Sequence, residues 1–222
     1  MDGNRRFGKK THADPIQGHW AGGQTLVDFV QWCIEEGVEI LTVYAFSTEN
    51  WSRDPLEVAA LMTIFAKYAE SMKCESLSRN VRVRVLSTDL DRLPEKVQHA
   101  VRDLETATAG CTGFEMNICM SYGSRQEIVD VCKVMAGEVS SGNLCIDDIT
   151  EQTFSSRLQT KDIPDPDVLI RTSGEYRLSN FLLWQLSYTE LFFVNKFWPE
   201  INRDDLRDII KEYVSRQRRF GK

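Results

Sequence analysis

The run EILTVYAFS at residues 39–47 is apolar almost throughout, rich in β-branched and aromatic side chains, and only of strand length. A segment of that kind suits a strand covered on both faces, so helices must pack above and below it. The flanking sequence supplies them. Leu26, Phe29, Val30, Cys33 and Ile34 recur at helical spacing over 25–36, and Gly37 supplies a stop. Asp54 followed by Pro55 marks a helix start, after which Leu61, Met62, Phe65, Tyr68, Ala69 and Met72 keep the helical period. The alternation then repeats: VRVRVL at 81–86 as a strand, 94–109 as a helix, FEMNICM at 114–120 as a strand. Ser124 with Glu127 gives a capping-box signature before a helix through Met135. A polar stretch around 140–148, a short helix, the strand-like DVLIR and a last helix over 204–216 complete the chain. Strands alternating with helices predict one α/β domain over residues 1–222, a largely parallel central sheet flanked by helices.

The bulk properties narrow the function. A formal net charge of -6 argues against nucleic-acid binding, so any basic cluster is a local site. No apolar run is long enough to cross a bilayer and no signal peptide is evident, which predicts a cytoplasmic protein. The six cysteines contain no C-x-x-C pair and read as reduced thiols.

Ligands of parallel sheets sit beyond the carboxyl ends of the strands. After VYAF comes STENWSR, with Ser47, Glu49, Asn50, Trp51 and Arg53. After DVLI comes RTSGEYRLSN, with Arg171, Thr172, Ser173, Glu175, Arg177 and Ser179. Arginine's planar fork matches phosphate and carboxylate oxygens. Any one of these arginines reads as a surface ion-pair partner, but Arg6, Arg53, Arg171 and Arg177 together point to a highly anionic ligand such as a diphosphate. The opening MDGNRRFGKK has two readings: a solvated tail, or a site where Asp2 holds a metal while Asn4, Arg5 and Arg6 hold an anion. Glu190 closes the apolar stretch FLLWQLSYTELFF, either beside a metal or on a partly exposed helix.

MDGNRRF, GHWAG, YAFSTENWSR, NICMSYGSR, RTSGEYRLSNFLLWQ, YTELFF and FWPE resemble, in order and spacing, the motifs of the cis-prenyltransferases, the undecaprenyl and dehydrodolichyl diphosphate synthases. The resemblance spans nearly the whole chain. It implies sequential cis-condensation of isopentenyl diphosphate onto an allylic diphosphate such as farnesyl diphosphate, with Mg²⁺, to make a dolichol- or undecaprenyl-type carrier lipid. It assigns Asp2 to the metal and to diphosphate activation, and Gly3, Asn4, Arg5 and Arg6 to the allylic diphosphate. His19, Asn50 and Arg53 resemble supporting allylic-site and proton-transfer residues, with Phe46, Ser47 and Trp51 flanking the reacting centre. Arg171, Arg177 and Ser179 match the isopentenyl diphosphate clamp, and Glu190 a second metal carboxylate. Arg219 and Gly221 match an R-x-G tail that reaches a neighbouring active site, implying a homodimer. The helix from Pro55 and the inner faces of VRVRVL and FEMNICM would line a hydrophobic product tunnel, although periodicity alone reads these residues as core. A lipid product places the enzyme in the cytoplasm or peripherally at the cytosolic face of a membrane, in a eukaryote the endoplasmic reticulum.

Two departures accompany the resemblance. The apolar strand that relatives carry before the aspartate motif does not precede Met1, and Pro15 stands where relatives often place an arginine. Rival readings are weaker. DDLRD at Asp204, Asp205 and Asp208 fits one trans-prenyltransferase signature where two are needed, and acids at a helix start are explained by capping. A partner subunit of a heteromeric prenyltransferase usually lacks the aspartate motif that this chain keeps. A nucleotide-binding role lacks its phosphate loop.

Overall fold

The structure, a computed structural model, describes residues 1–216. In chain order the elements are α1 (Asn4–His12), α2 (Pro15–Glu35), β1 (Ile40–Ser47), α3 (Pro55–Ser78), β2 (Val81–Leu86) and α4 (Glu95–Thr108). Then follow β3 (Phe114–Tyr122), α5 (Ser124–Ser140), α6 (Glu151–Ser155), β4 (Val168–Arg171), β5 (Glu190–Phe193) and α7 (Arg203–Ser215). Every strand pairing is parallel, as the alternation requires. Among the described residues the strands form two sections that are not hydrogen-bonded to each other, β1–β3–β2, with Val43 and Val85 both opposite Ile118, and β4–β5, with Arg171 opposite Phe193.

The alternation in FEMNICM sorts two buried faces of the central strand β3. Met116, Ile118 and Met120 join the main core with Phe29, Leu61 and Val97, while Cys119 faces a second cluster with Leu86, Phe181 and Leu186. Tyr44 of β1 ties the two sections together, stacking on Phe181 with ring centroids 4.7 Å apart and donating to the Tyr122 carbonyl at 2.9 Å.

Several element starts follow local chemistry. Asp54 caps α3, its carboxylate accepting from the backbone N–H of Leu56 at 2.8 Å. Asn202 and Asp205 cap α7 reciprocally at 3.1 and 3.0 Å, so the acids of DDLRD begin a helix. The departure at Pro15 is the first residue of α2, which starts ten residues earlier than the apolar period shows, with Asp14 as its cap. The early turns are glycine-rich because α1 lies against them: a Cβ on Gly18 would come within 1.9 Å of the Asn4 carbonyl oxygen.

Two sequence expectations are corrected. The capping box at Ser124 and Glu127 does not form. Gly123 is the cap residue, Ser124 Oγ accepts from the Leu183 N–H at 2.8 Å, and buried Glu127 accepts from the Tyr122 hydroxyl at 2.6 Å and the Gln159 N–H at 3.0 Å. Both side chains serve neighbouring loops. The alternative of a helix at Glu190 is also overturned, because residues 190–193 form β5, held by β4.

Candidate active site

The carboxyl end of β4 gathers the charged cluster. Arg171 donates to Asp2 Oδ2 at 3.0 Å, to Ser179 Oγ at 2.9 Å and to the Arg177 carbonyl. Buried Thr172 fixes Asp2 from behind: its hydroxyl accepts from the Asp2 N–H and donates to the Asp2 carbonyl, both at 2.9 Å. The Trp198 N–H donates to the same carbonyl at 2.9 Å, so the turn after β5 also holds the aspartate. Gly3 follows with φ 95°, where a Cβ would stand 2.1 Å from Ser173 Oγ; only glycine permits this turn. Burial disfavours ionisation of Asp2, but the hydrogen bond from Arg171 and the adjacent Gly3 N–H outweigh it and hold the carboxyl below its ordinary value. Glu175 pairs with Arg6 at 2.8 Å and with Arg177 at 2.5 Å. Three arginines thus face two carboxylates. Arg6 and Arg177, with side chains 47% and 61% exposed, are placed to turn toward an anion.

A second cluster lies where α1, α2 and the start of α3 meet. Glu57 pairs with Arg5 at 3.2 Å and Arg53 at 3.2 Å, and His19 Nε2 stands 3.7 Å from its carboxylate. Burial holds the His19 imidazole below its ordinary 6.5 despite Glu57, so the ring is neutral at neutral pH. Asn50 Oδ1 accepts from the Ser47 N–H at 3.2 Å, closing the turn after β1. Asn4 Oδ1 and His19 Nε2, of two residues that line the cavity, are buried without a hydrogen-bond partner, an arrangement that a polar ligand would satisfy.

One cavity of about 1320 Å³ joins these clusters. At its polar end it is lined by Asp2, Gly3, Asn4, Arg5, Arg6, His19, Phe46, Ser47, Asn50, Arg53, Arg171, Arg177 and Ser179, so the structure brings together nearly all the sequence-predicted residues. It continues between α2, α3 and the three-stranded section past Ile64, Phe65, Ala69, Met72, Met116 and Ile118. Two predicted residues lie elsewhere. Trp51 turns away from this cavity, donating to Ser121 Oγ at 2.9 Å beneath the Arg92 guanidinium. Glu190 opens β5, at the opposite end of the strand pair from Arg171, and its carboxylate is held by Arg216 at 2.6 Å. Arg219 and Gly221 lie outside the described residues.

Sequence reasoning missed Glu57 as a site residue, and named Thr172 and Glu175 at the strand end without giving them a role. Glu57 left one signal, its position four residues after Arg53 in the first turn of a helix.

The donors bear on the metal that the family resemblance implies. Among the described residues no group of three His, Cys, Asp or Glu side chains converges. Asp2 at the cavity wall, beside arginines suited to phosphate oxygens, fits the sparse way Mg²⁺ is held, by one or two carboxylates plus substrate phosphates. Glu190, paired with Arg216, is not part of this cavity wall.

A profile of the undecaprenyl diphosphate synthase family of prenyltransferases matches residues 1–221. The chain belongs to this family. Among its relatives, a tritrans,polycis-undecaprenyl-diphosphate synthase of Thermococcus kodakarensis, specific for geranylgeranyl diphosphate, is 43% identical over 100% of this chain and 84% of its own. The Micrococcus luteus ditrans,polycis-undecaprenyl-diphosphate synthase, specific for farnesyl diphosphate, is 41% identical over 100% of this chain and 88% of its own. Among solved structures, lavandulyl diphosphate synthase from Lavandula x intermedia, in complex with dimethylallyl diphosphate, superposes with a TM-score of 0.96 at 34% identity, covering 100% of this chain and 95% of that one. A probable undecaprenyl diphosphate synthase of Campylobacter jejuni gives 0.80 at 32% identity, covering 91% and 92%. The α/β fold of this prenyltransferase family is thereby shown for the chain. No helix among its described residues is long and apolar enough to cross a membrane.

Proposed function

We propose that this protein is a cis-polyprenyl diphosphate synthase that condenses isopentenyl diphosphate repeatedly onto farnesyl diphosphate, releasing diphosphate at each step. The observation that carries the reading is the single cavity in which the Asp2, Arg6, Arg171, Arg177 and Ser179 cluster opens onto an apolar channel. Arg6 and the turn at Gly3 and Asn4 bind the allylic diphosphate, with Asn50 and Arg53 supporting it. Arg177 and Ser179 bind isopentenyl diphosphate, and Arg171 bridges the halves. Asp2 would hold Mg²⁺ beside the diphosphate, where the ion would supply charge neutralisation for the departing group. The neutral His19, among cations and facing the cavity, is placed to take or relay the proton lost after attack. Phe46 packs edge-on to Phe65 at 6.0 Å and closes the wall where the new chain passes into the channel.

The farnesyl primer follows the Micrococcus luteus relative; the archaeal relatives make geranylgeranyl diphosphate the competing primer. The likeness to lavandulyl diphosphate synthase raises the reading of a synthase that stops at a short product, but the apolar extent of the cavity favours elongation. Assembly as a homodimer, with the tail carrying Arg219 and Gly221 reaching the partner, is part of the proposal. So is peripheral contact with a membrane, where a carrier lipid is delivered.

Incubating the protein with labelled isopentenyl diphosphate, Mg²⁺ and either primer, then sizing the product and determining its double-bond geometry, tests the reading. A cis-polyprenyl ladder is expected, with Asp2→Asn lowering turnover at least ~100-fold while the thermal midpoint is kept. Absence of elongation by folded wild-type protein with either primer overturns it, as does an Asp2→Asn variant of near-normal rate.

A further inference from the structure

Asn180 directly follows Ser179, and both take left-handed backbone conformations, φ 65° and 51°. Asparagine visits that conformation more readily than other non-glycine residues, whereas serine holds it only where the surroundings fix it. At Asn180 three hydrogen bonds do so. Its carbonyl accepts from the Ser124 N–H at 2.9 Å, and its side-chain Oδ1 accepts from the Arg125 N–H at 2.8 Å, fastening the loop to the start of α5. Its Nδ2 donates to Glu49 Oε1 at 2.9 Å. Glu49 stands in the turn after β1, between Ser47 and Asn50, and lines the cavity. Burial opposes its ionisation, but the hydrogen bonds from Asn180, its own N–H, Ser47 and Thr48 prevail, and its carboxyl sits below the ordinary range.

We infer that Asn180 is a positioning residue that fixes the isopentenyl diphosphate loop against the allylic half of the site through Glu49. The connection is continuous. Glu49 accepts from Asn180, Asn180 is bonded covalently to Ser179, Ser179 accepts from Arg171, and Arg171 donates to Asp2. Asparagine suits the junction because one amide supplies the donor that a carboxylate needs and the acceptor that a backbone N–H needs. Aspartate keeps the second bond and sets a like charge against Glu49; alanine loses both.

The inference rests on the prenyl-transfer reading, so the wild-type ladder is the control: its absence removes that reading, whereas the variants address Asn180 alone. Steady-state constants for each substrate and thermal midpoints are measured for Asn180→Asp, Asn180→Ala, Glu49→Ala and the pair Glu49→Gln with Asn180→Asp. Asn180→Asp is expected to raise the KM for isopentenyl diphosphate roughly tenfold, the worth of one charge-assisted hydrogen bond, and to move the primer KM less than about twofold. Glu49→Ala, although it alters the allylic turn, is expected to raise the KM for isopentenyl diphosphate as well. The pair is expected to recover most of the loss, because it exchanges donor and acceptor: the amide now stands at position 49 and donates to a carboxylate at position 180. An unchanged KM for isopentenyl diphosphate in Asn180→Asp and Glu49→Ala, equal rises for both substrates, or a pair no better than Asn180→Asp overturns the inference. If Asn180→Asp does not fold, Glu49→Ala and the pair decide it by the same readouts.

Discussion

Burying His19 against Glu57, with Arg5 and Arg53 on the same carboxylate, has a consequence for stability. The imidazole titrates near 6.5 in the unfolded chain and at lower pH in the folded one. Between those values the unfolded chain binds the extra proton, so stability rises with pH; it is lost as pH falls below 6.5 and levels off below the folded value. The depressed carboxyls of Asp2 and Glu49 act further down, losing their contribution only below the ordinary carboxylate range. His19→Gln is therefore expected to flatten the decline of the thermal midpoint between pH 7 and 5, the other groups cancelling in the comparison with wild type. Parallel pH profiles for the two proteins would exclude His19 as the group responsible. The clustering of Arg171 with Ser179 was legible in the sequence because both follow the end of β4, whereas Asp2, with no strand before it, stood out only through the opening motif. Thr172 and Glu57 were less so, because their partners Asp2 and Arg5 lie at the other end of the chain or in another element. Trp51 shows the opposite failure: its neighbours in sequence line the cavity, but one residue of helical turn aims the indole at Ser121 and Arg92.

At the scale of elements, helix ends were legible wherever a cap residue stood next to an apolar period, as at Asp54 and Asn202. β5 was not, because a four-residue strand inside FLLWQLSYTELFF shows too few residues for a period of two to emerge, and its identity comes from pairing with β4. The start of α2 was hidden by its glycines, which depress helix propensity and carry no apolar pattern. Those glycines serve contact. Gly18→Ala puts a methyl into the Asn4 carbonyl, and the backbone of α1 must move to accept it, so a loss of roughly 1–3 kcal/mol is expected from overpacking. Gly137, on an exposed turn of α5 with nothing near its Cβ position, is the control. There alanine is expected to add up to about 1 kcal/mol by propensity alone. Thermal or denaturant unfolding reads both. A stabilising Gly18→Ala would mean that α1 does not lie against α2 as described.

For the molecule as a whole, the parallel alternation announced the layered α/β architecture, but the cavity within it was invisible to pattern. A residue that lines a hydrophobic channel and one that fills a core obey the same helical period, and only three-dimensional packing separates them. α3 shows the distinction on neighbouring turns. Ala69 lines the cavity, whereas Ala66 is buried at 2% exposure, packs in the main core and is not part of that wall. Leucine at each position should therefore act differently. Ala69→Leu narrows the channel beyond the diphosphate cluster, so the first condensations proceed at the wild-type rate while the product distribution shifts to shorter chains. Ala66→Leu lies off this channel, against a separate hollow lined by Met62, Pro94 and Val97, so product length is expected to be unchanged and any cost, up to roughly 1–3 kcal/mol, to fall on stability. Chromatographic sizing of the product beside thermal unfolding of the two variants makes the comparison. If Ala69→Leu leaves the ladder intact, or if both variants shorten it equally, the growing chain does not run along α3 and the apolar part of the cavity serves some other purpose than holding product.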